Sequence, residues 1–422
     1  MKKPFLEKGL IKLSQKGGVA ILDQGLYSLI NFIANIILAR SLIQEEYGAF
    51  AIVFAIYALC YHPYSALILE PMSVLLQSRH TDEFRKHIQE HLLLHFVLTA
   101  PFGLLIIVCG LVLWKIGQIR VLYQSFFIMG AIIPIILLYW LFRQIFYILE
   151  KPSISLSGSL IYSIGMATSL GFLSYTHRLT TNSVLISMGI NNLLVCVFFV
   201  LLLRIGKSVI NQLNFRQRVI NNWKYGKWMV LSAVFISIAT EGPILILSGI
   251  SGVGAAGIIR AAKNIIRPIQ ISIISISSYA LPVLSREIGE NREPQFRNKN
   301  RFFQIMLVSL AIAYELVIIV FRHPIERFLY DGNYSEYVNL FPLWGLVAIA
   351  MSLLYGYSLR VKARQQPQIY SYASMAFGAI SMLLGGIVLI PLWNVWGVPI
   401  TVLAGYIGAI FFLLLFSKID LK

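Results

Sequence analysis

VGAAGIIRAAKNIIRPIQISIISISSYAL, the run from Val253 to Leu281, is apolar along most of its length yet carries Arg260, Lys263 and Arg267. As one α-helix, at about 1.5 Å per residue, it would reach about 43 Å, more than the roughly 30 Å hydrocarbon core of a bilayer. It therefore reads as a membrane-crossing helix. The three cations stand at i, i+3 and i+7, spacings that bring side chains to one helix face. Each Arg or Lys inside a bilayer costs about 2.5–3.5 kcal/mol even on the lenient insertion scale. Arg267 would lie about 21 Å from the Val253 end, too deep to reach the interface easily. A stripe of this kind implies a wet cavity or an anion, and its surplus charge suits a pyrophosphate or an acidic sugar.

The rest of the chain agrees with a membrane. Of 422 residues, 58% are hydrophobic and only 13% charged, and the mean hydropathy is +0.75. Apolar runs of about 20 residues recur along the chain, which predicts an all-α integral membrane protein with about twelve transmembrane helices. The runs divide six and six around the basic stretch Arg204 to Lys227. The expected organisation is an N-terminal six-helix lobe (1–203), a basic cytoplasmic linker (204–227) and a C-terminal six-helix lobe (228–422), an arrangement common among transporters. A faint repeat supports it, since each half has a second span closing near a proline and an arginine, Pro71 to Arg79 and Pro282 to Arg286.

With both termini cytoplasmic, 26 Lys and Arg fall on the cytoplasmic side and 6 outside, the remaining 3 being those of the stripe. That asymmetry is the positive-inside pattern, so the net charge of +17 is a topology signal and nucleic acid is not an expected partner. Trp114, Trp140, Trp223, Trp228, Trp393 and Trp396 fall near predicted span ends, as an aromatic belt would have them. The N-terminal lysines resemble a signal-peptide n-region, but the apolar run after them holds Asp23, Gln24, Asn31 and Asn35 and no small-residue cleavage site, so the first span is expected to stay. Cys60, Cys109 and Cys196 lie in apolar runs and read as packing residues.

Gln24, Ser28, Asn31 and Asn35 form a polar stripe on the first span, with Asp23 at its cytoplasmic end. Gln24 and Asn31 are candidate substrate contacts, and Asp23 a candidate ion-coupling group. Further carboxylates lie in spans at Glu70, Glu241 and Glu315. Glu241 has the stronger case for coupling, because the adjacent Gly242-Pro243 can loosen the helix and free carbonyls beside the acid; the alternative is a neutral structural acid or a partner for Arg260. Glu70 and Glu315 read as structural. No GxxxxGK[ST] loop and no metal-ligand spacing are present, so neither cofactor nor metal is expected. An enzyme acting on sugars outside the membrane would need a sizeable outer loop. The longest predicted is only Arg322 to Glu336, where Glu326, Asp331 and Glu336 read as a solvated face.

The stretches DQGLYSLINFIANIILARSLIQEEYGAFAI from Asp23, FRQIFYILEKPSISLSGSLIYS from Phe142 and WKYGKWMVLSA from Trp223 resemble bacterial polysaccharide exporters and O-antigen flippases of the MATE-like superfamily. The resemblance implies two six-helix lobes and alternating access. It implies a central cavity that carries an undecaprenyl-pyrophosphate-linked oligosaccharide to the periplasmic leaflet, with membrane lipids and a polysaccharide polymerase as partners. Cavity cations would hold the pyrophosphate, here Arg260, Lys263 and Arg267, with Arg40 and Arg143 as further positions. A departure is that Tyr370 to Ile390, the eleventh span, has no Asp, Glu or Asn, so a sodium site like that of lipid II flippases does not carry over. The alternatives are a MATE-type antiporter of organic cations, disfavoured by the cationic stripe, and a membrane glycosyltransferase or polymerase, disfavoured by the short outer loops.

Overall fold

The computed structural model describes residues 3–75, 82–203, 215–364 and 366–419. Every element assigned there is helical. Arg79 and the first part of the expected linker, 204–214, lie outside the described residues. In chain order the α-helices are α1 (Lys3–Ser41), α2 (Gln44–Tyr64), α3 (Glu70–Leu75), α4 (Asp82–Lys115), α5 (Arg120–Ile148), α6 (Pro152–Tyr175) and α7 (Thr181–Leu203). They continue with α8 (Phe215–Ser251), α9 (Val253–Asn264), α10 (Arg267–Gly289), α11 (Glu293–Tyr330) and α12 (Leu340–Ala363). The last are α13 (Pro367–Ile380), α14 (Ile390–Trp393) and α15 (Gly397–Ile419). A π-helical stretch, Ser65–Leu69, joins α2 to α3, and another, Ser381–Leu389, joins α13 to α14.

Among the described residues, eleven stretches are long and apolar enough to cross a membrane. One of them, Gln368–Phe416, spans 49 residues. As a single helix it would be about 73 Å long, over twice the hydrocarbon thickness. It is instead broken at Asn394, whose φ of +49° turns the chain so that α15 packs back along α13. Counted as two crossings it brings the total to twelve, and the protein is a multi-pass membrane protein.

The chain forms two compact units. The first comprises Met1–Leu38 and Tyr64–Gly226, the second Ala39–Pro63 and Lys227–Lys422, so most of α2 groups with the C-terminal helices. In the first unit α5 packs against α4, α6 and α7. Its backbone comes close to that of α4 because a Cβ on Gly130 would stand 2.7 Å from the Gly103 carbonyl oxygen, small-residue packing that suits helices in lipid. The core beside it is aromatic: Tyr27 stacks on Tyr162 at 4.9 Å, and Phe199 meets Tyr139 and Phe146 at 6.1 and 5.1 Å. In the second unit α11, α10 and α12 pack on one another, and α12 and α13 on α15. There α9 lies close to α2, since a Cβ on Gly257 would come within 2.9 Å of the Gln44 carbonyl oxygen.

Two expectations are corrected. The run Val253 to Leu281 is not one helix: it stops at Asn264 and restarts at Arg267. Pro268 has no N–H to offer the Asn264 carbonyl and disfavours helical geometry in the residue before it. The break is stitched by tyrosines. Ile265 N–H donates to Ala262 (3.3 Å), leaving the Ala261 carbonyl to accept from Tyr330 Oη at 2.9 Å, while Tyr314 Oη donates to the Ile265 carbonyl at 2.7 Å. The predicted outer loop after Arg322 is also mostly helix, because α11 kinks at Phe321 and runs on to Tyr330, where Asp331 adopts a left-handed conformation. Glu326 is not solvated. It is 3% exposed and accepts from the Tyr334 backbone N–H (2.9 Å) and from Ser335 Oγ (3.2 Å), closing the turn.

Candidate functional site

The chemistry of the second unit centres on the α9–α10 break. Lys263 closes α9 and its Nζ lies 2.8 Å from Glu241 Oε1 of α8, in an ion pair whose side chains are 13% and 10% exposed. The same ammonium donates to the Thr240 carbonyl at 3.0 Å. Pro243, three residues on, has no N–H to offer the Ala239 carbonyl of the same turn of α8. Trp344 covers the ammonium at 5.9 Å from its ring centroid. Glu241 Oε2 is buried with no hydrogen-bond partner among the described residues.

Arg260, one turn earlier on α9, is buried and lays its guanidinium 4.5 Å over the Phe54 ring. Arg267 differs from both. It is the first residue of α10, it is exposed, and among the described residues it forms no ion pair, although Arg260 and Glu241 both act on it electrostatically. Arg260, Lys263 and Arg267 are thus brought to one region, with Arg267 set apart by the helix break rather than continuing a regular stripe.

His62 belongs to this region and is not flagged by sequence reasoning. Its Nδ1 lies 2.7 Å from Ser237 Oγ, one turn before Glu241 on α8, and Glu241, Lys263 and Arg267 all act on it electrostatically. The available signal is a histidine beside a proline, His62-Pro63, inside an apolar run.

The first unit brings Asp23 and Arg143 together, buried at 0% and 2% exposure. Arg143 Nη2 and Nε lie 2.8 and 2.9 Å from Asp23 Oδ2, and Tyr147 Oη and Ser159 Oγ also donate to the carboxylate. Arg143 reaches Gln24 Oε1 at 2.9 Å and lies against Trp140 at 4.8 Å and Tyr27 at 5.7 Å. Such a pair is tolerated in low dielectric because every charged atom has a hydrogen-bond or aromatic neighbour. Asn31 accepts from Tyr162 Oη (3.2 Å) and donates to the Tyr27 carbonyl (2.8 Å), an interhelical tie. Arg40 falls in the second unit and pairs with Asp331 at 3.2 Å, with both side chains largely exposed.

The model of the family described as "Polysaccharide biosynthesis protein" matches residues 13–288, a stretch that holds Asp23, Arg143, Glu241 and all three cations. The chain belongs to that family. A search of curated protein sequences gives no significant match. Among solved structures, the inward-facing conformation of a multidrug resistance MATE transporter of the MOP superfamily is 12% identical at a TM-score of 0.75, over 95% of this chain and 98% of that one. The lipid II flippase MurJ in an inward closed conformation is 15% identical at a TM-score of 0.72, over 94% and 87%. A MOP-superfamily transporter from Pyrococcus furiosus, noted for a binding pocket of reversed polarity, is 13% identical at a TM-score of 0.64, over 98% and 95%. The fold is therefore MATE-like.

Proposed function

We propose that this protein moves an undecaprenyl-pyrophosphate-linked oligosaccharide across the cytoplasmic membrane for surface polysaccharide assembly, by alternating access and without making or breaking a covalent bond. The observation that carries the reading is Arg267, an exposed residue that opens α10 at the end of a candidate membrane span and has no ion pair among the described residues. A cation so placed calls for an anion, and its planar fork suits bidentate capture of phosphate. Arg260 and Lys263 supply the neighbouring positive charge. Family membership supports a polysaccharide precursor as the cargo, and the solved neighbour named a lipid II flippase supports transport of this kind.

The Lys263–Glu241 pair gives the cycle a second component. A pyrophosphate that draws the ammonium to itself leaves the Glu241 carboxylate alone in low dielectric, where a proton or a cation must join it. Binding of an anionic head is then tied to uptake of a positive charge. A cationic cargo would meet repulsion at the same place.

The test is complementation of surface polysaccharide with Arg267→Gln, alongside immunoblotting of membranes. Losing a charge-assisted contact worth about 1.5–3 kcal/mol should weaken binding roughly 10- to 100-fold, with membrane abundance near normal. Full polysaccharide from Gln variants at all three cations, at normal abundance, would sink the proposal.

A further inference from the structure

Along α11 of the second unit runs an open groove of about 620 Å³, walled by Ile305, Val308, Ile312 and Leu316 and closed on one side by Leu353 of α12. Ile305, Ile312 and Leu316 are 57%, 43% and 58% exposed, inside a helix long and apolar enough to cross a membrane. At the Arg301 end the groove meets a second hollow of about 320 Å³, bordered by Arg297, Arg301 and Arg360 together with Asn300 and Gln304. Arg301 and Gln304 border both, so the two hollows are neighbours.

The charge at that end is lopsided. Glu293 is shared by Arg297 at 3.2 Å and Arg364 at 2.6 Å, while Arg301 and Arg360 form no ion pair among the described residues. Four guanidinium groups around one carboxylate leave a positive surplus beside an apolar trough. Asn300 Oδ1 is buried there with no hydrogen-bond partner among the described residues, an acceptor open to a donor. From Ile305 to Leu316 the helix rises about 17 Å, close to the depth of one leaflet.

We infer that this groove is a binding site for an anionic phospholipid with a hydroxylated head, such as a phosphatidylglycerol. Its phosphate lies at Arg301 and Arg360, a head-group hydroxyl donates to Asn300 Oδ1, and one acyl chain fills the trough. The charge arrangement decides the headgroup, because a zwitterionic lipid brings an ammonium to an end that already holds a cationic surplus. The leaflet-deep wall suits an acyl chain better than a much longer polyprenyl tail. The site is independent of Arg267 and of the proposed cargo.

Full-length protein in detergent, examined by native mass spectrometry, tests this with phosphatidylglycerol and phosphatidylcholine of identical chains, undecaprenyl phosphate, and inorganic phosphate. The expected result is roughly tenfold greater retention of phosphatidylglycerol than of phosphatidylcholine, falling to parity in R301Q/R360Q. Ile312→Trp, which fills the trough and leaves the charges intact, should lower phosphatidylglycerol retention several-fold. Equal retention of the two phospholipids, or an unchanged preference in R301Q/R360Q, would overturn the site. Undecaprenyl phosphate displacing phosphatidylglycerol would reassign the groove to a polyprenyl carrier, and displacement by millimolar inorganic phosphate would reduce it to a headgroup site; either overturns the inference. Should R301Q/R360Q fail to give a monodisperse protein, Ile312→Trp decides alone, and undiminished retention there overturns the proposal.

Discussion

The Lys263 ammonium is held at once by a carboxylate and a carbonyl of the same helical turn, Glu241 Oε1 at 2.8 Å and Thr240 O at 3.0 Å. Glu241 thereby engages one oxygen, while the other, Oε2, has no hydrogen-bond partner among the described residues. A carboxylate in that state has both a counter-ion that can be drawn away and a vacant acceptor for whatever replaces it. Pro243 lies within α8, two residues beyond Glu241, and Pro268 follows the end of α9 on the other side of the pair.

Glu241→Gln keeps the acceptor for Lys263 but cannot take up a charge. In purified, reconstituted protein, where activity is counted per molecule, wild-type translocation should vary with pH or sodium and the Gln variant should lose that dependence. Its rate should fall at least several-fold. An unchanged rate with an unchanged pH and sodium profile would remove Glu241 from coupling.

Topology is open to a direct check. The distribution of 26 basic residues against 6 favours both termini in the cytoplasm. Reporter fusions at Gly206 and Asn333 should then report opposite compartments, cytoplasm for the first and the outer side for the second. The same compartment for both would refute the arrangement.

The helices are legible in the sequence because burial in lipid demands long apolar runs, and a run is a local property. Cations inside such runs are equally visible, so Arg260, Lys263 and Arg267 stand out unaided. What stays hidden is who meets whom. Asp23 and Arg143 are 120 positions apart, and only packing of α1 against α5 makes them partners. Glu326 looks like a surface acid until the turn after α11 folds over it. The break at Ile265 and Ile266 is a different case, since Pro268 signals it locally; the length of the apolar run favours a single helix and masks the signal. His62 is missed because one histidine in an apolar run carries no spacing pattern.

The Asp23–Arg143 pair should behave as a coupled unit. Asp23→Ala strands a guanidinium among Tyr27, Trp140 and Tyr147, which should cost about 3–5 kcal/mol. Arg143→Met should cost less, since Tyr147 and Ser159 still donate to the carboxylate. Combining the two should recover part of the loss, read as the melting temperature of purified protein in detergent. Strictly additive losses would show that the pair is not coupled. If the double variant also transports normally, the pair is scaffold and neither residue binds cargo.

Glu315 and Gly345 make the last prediction. Glu315 is 4% exposed, neither of its oxygens has a hydrogen-bond partner among the described residues, and Gly345 of α12 leaves the space its carboxyl occupies, since a Cβ there would fall on Oε2. An isolated charge in such an enclosure is costly, which favours the neutral acid. Glu315→Gln preserves size and neutrality and should shift stability by less than about 1 kcal/mol, within the range of a volume-conserving exchange. Gly345→Ala forces the carboxyl aside and should destabilise by roughly 1–3 kcal/mol, the usual effect of overpacking. Adding Glu315→Ala to Gly345→Ala should restore most of that loss by opening the occupied space. Melting temperatures of the four proteins decide it. A large loss in Glu315→Gln would mean a charged acid with an essential partner, and failure of Glu315→Ala to rescue Gly345→Ala would mean that the two side chains do not share that space.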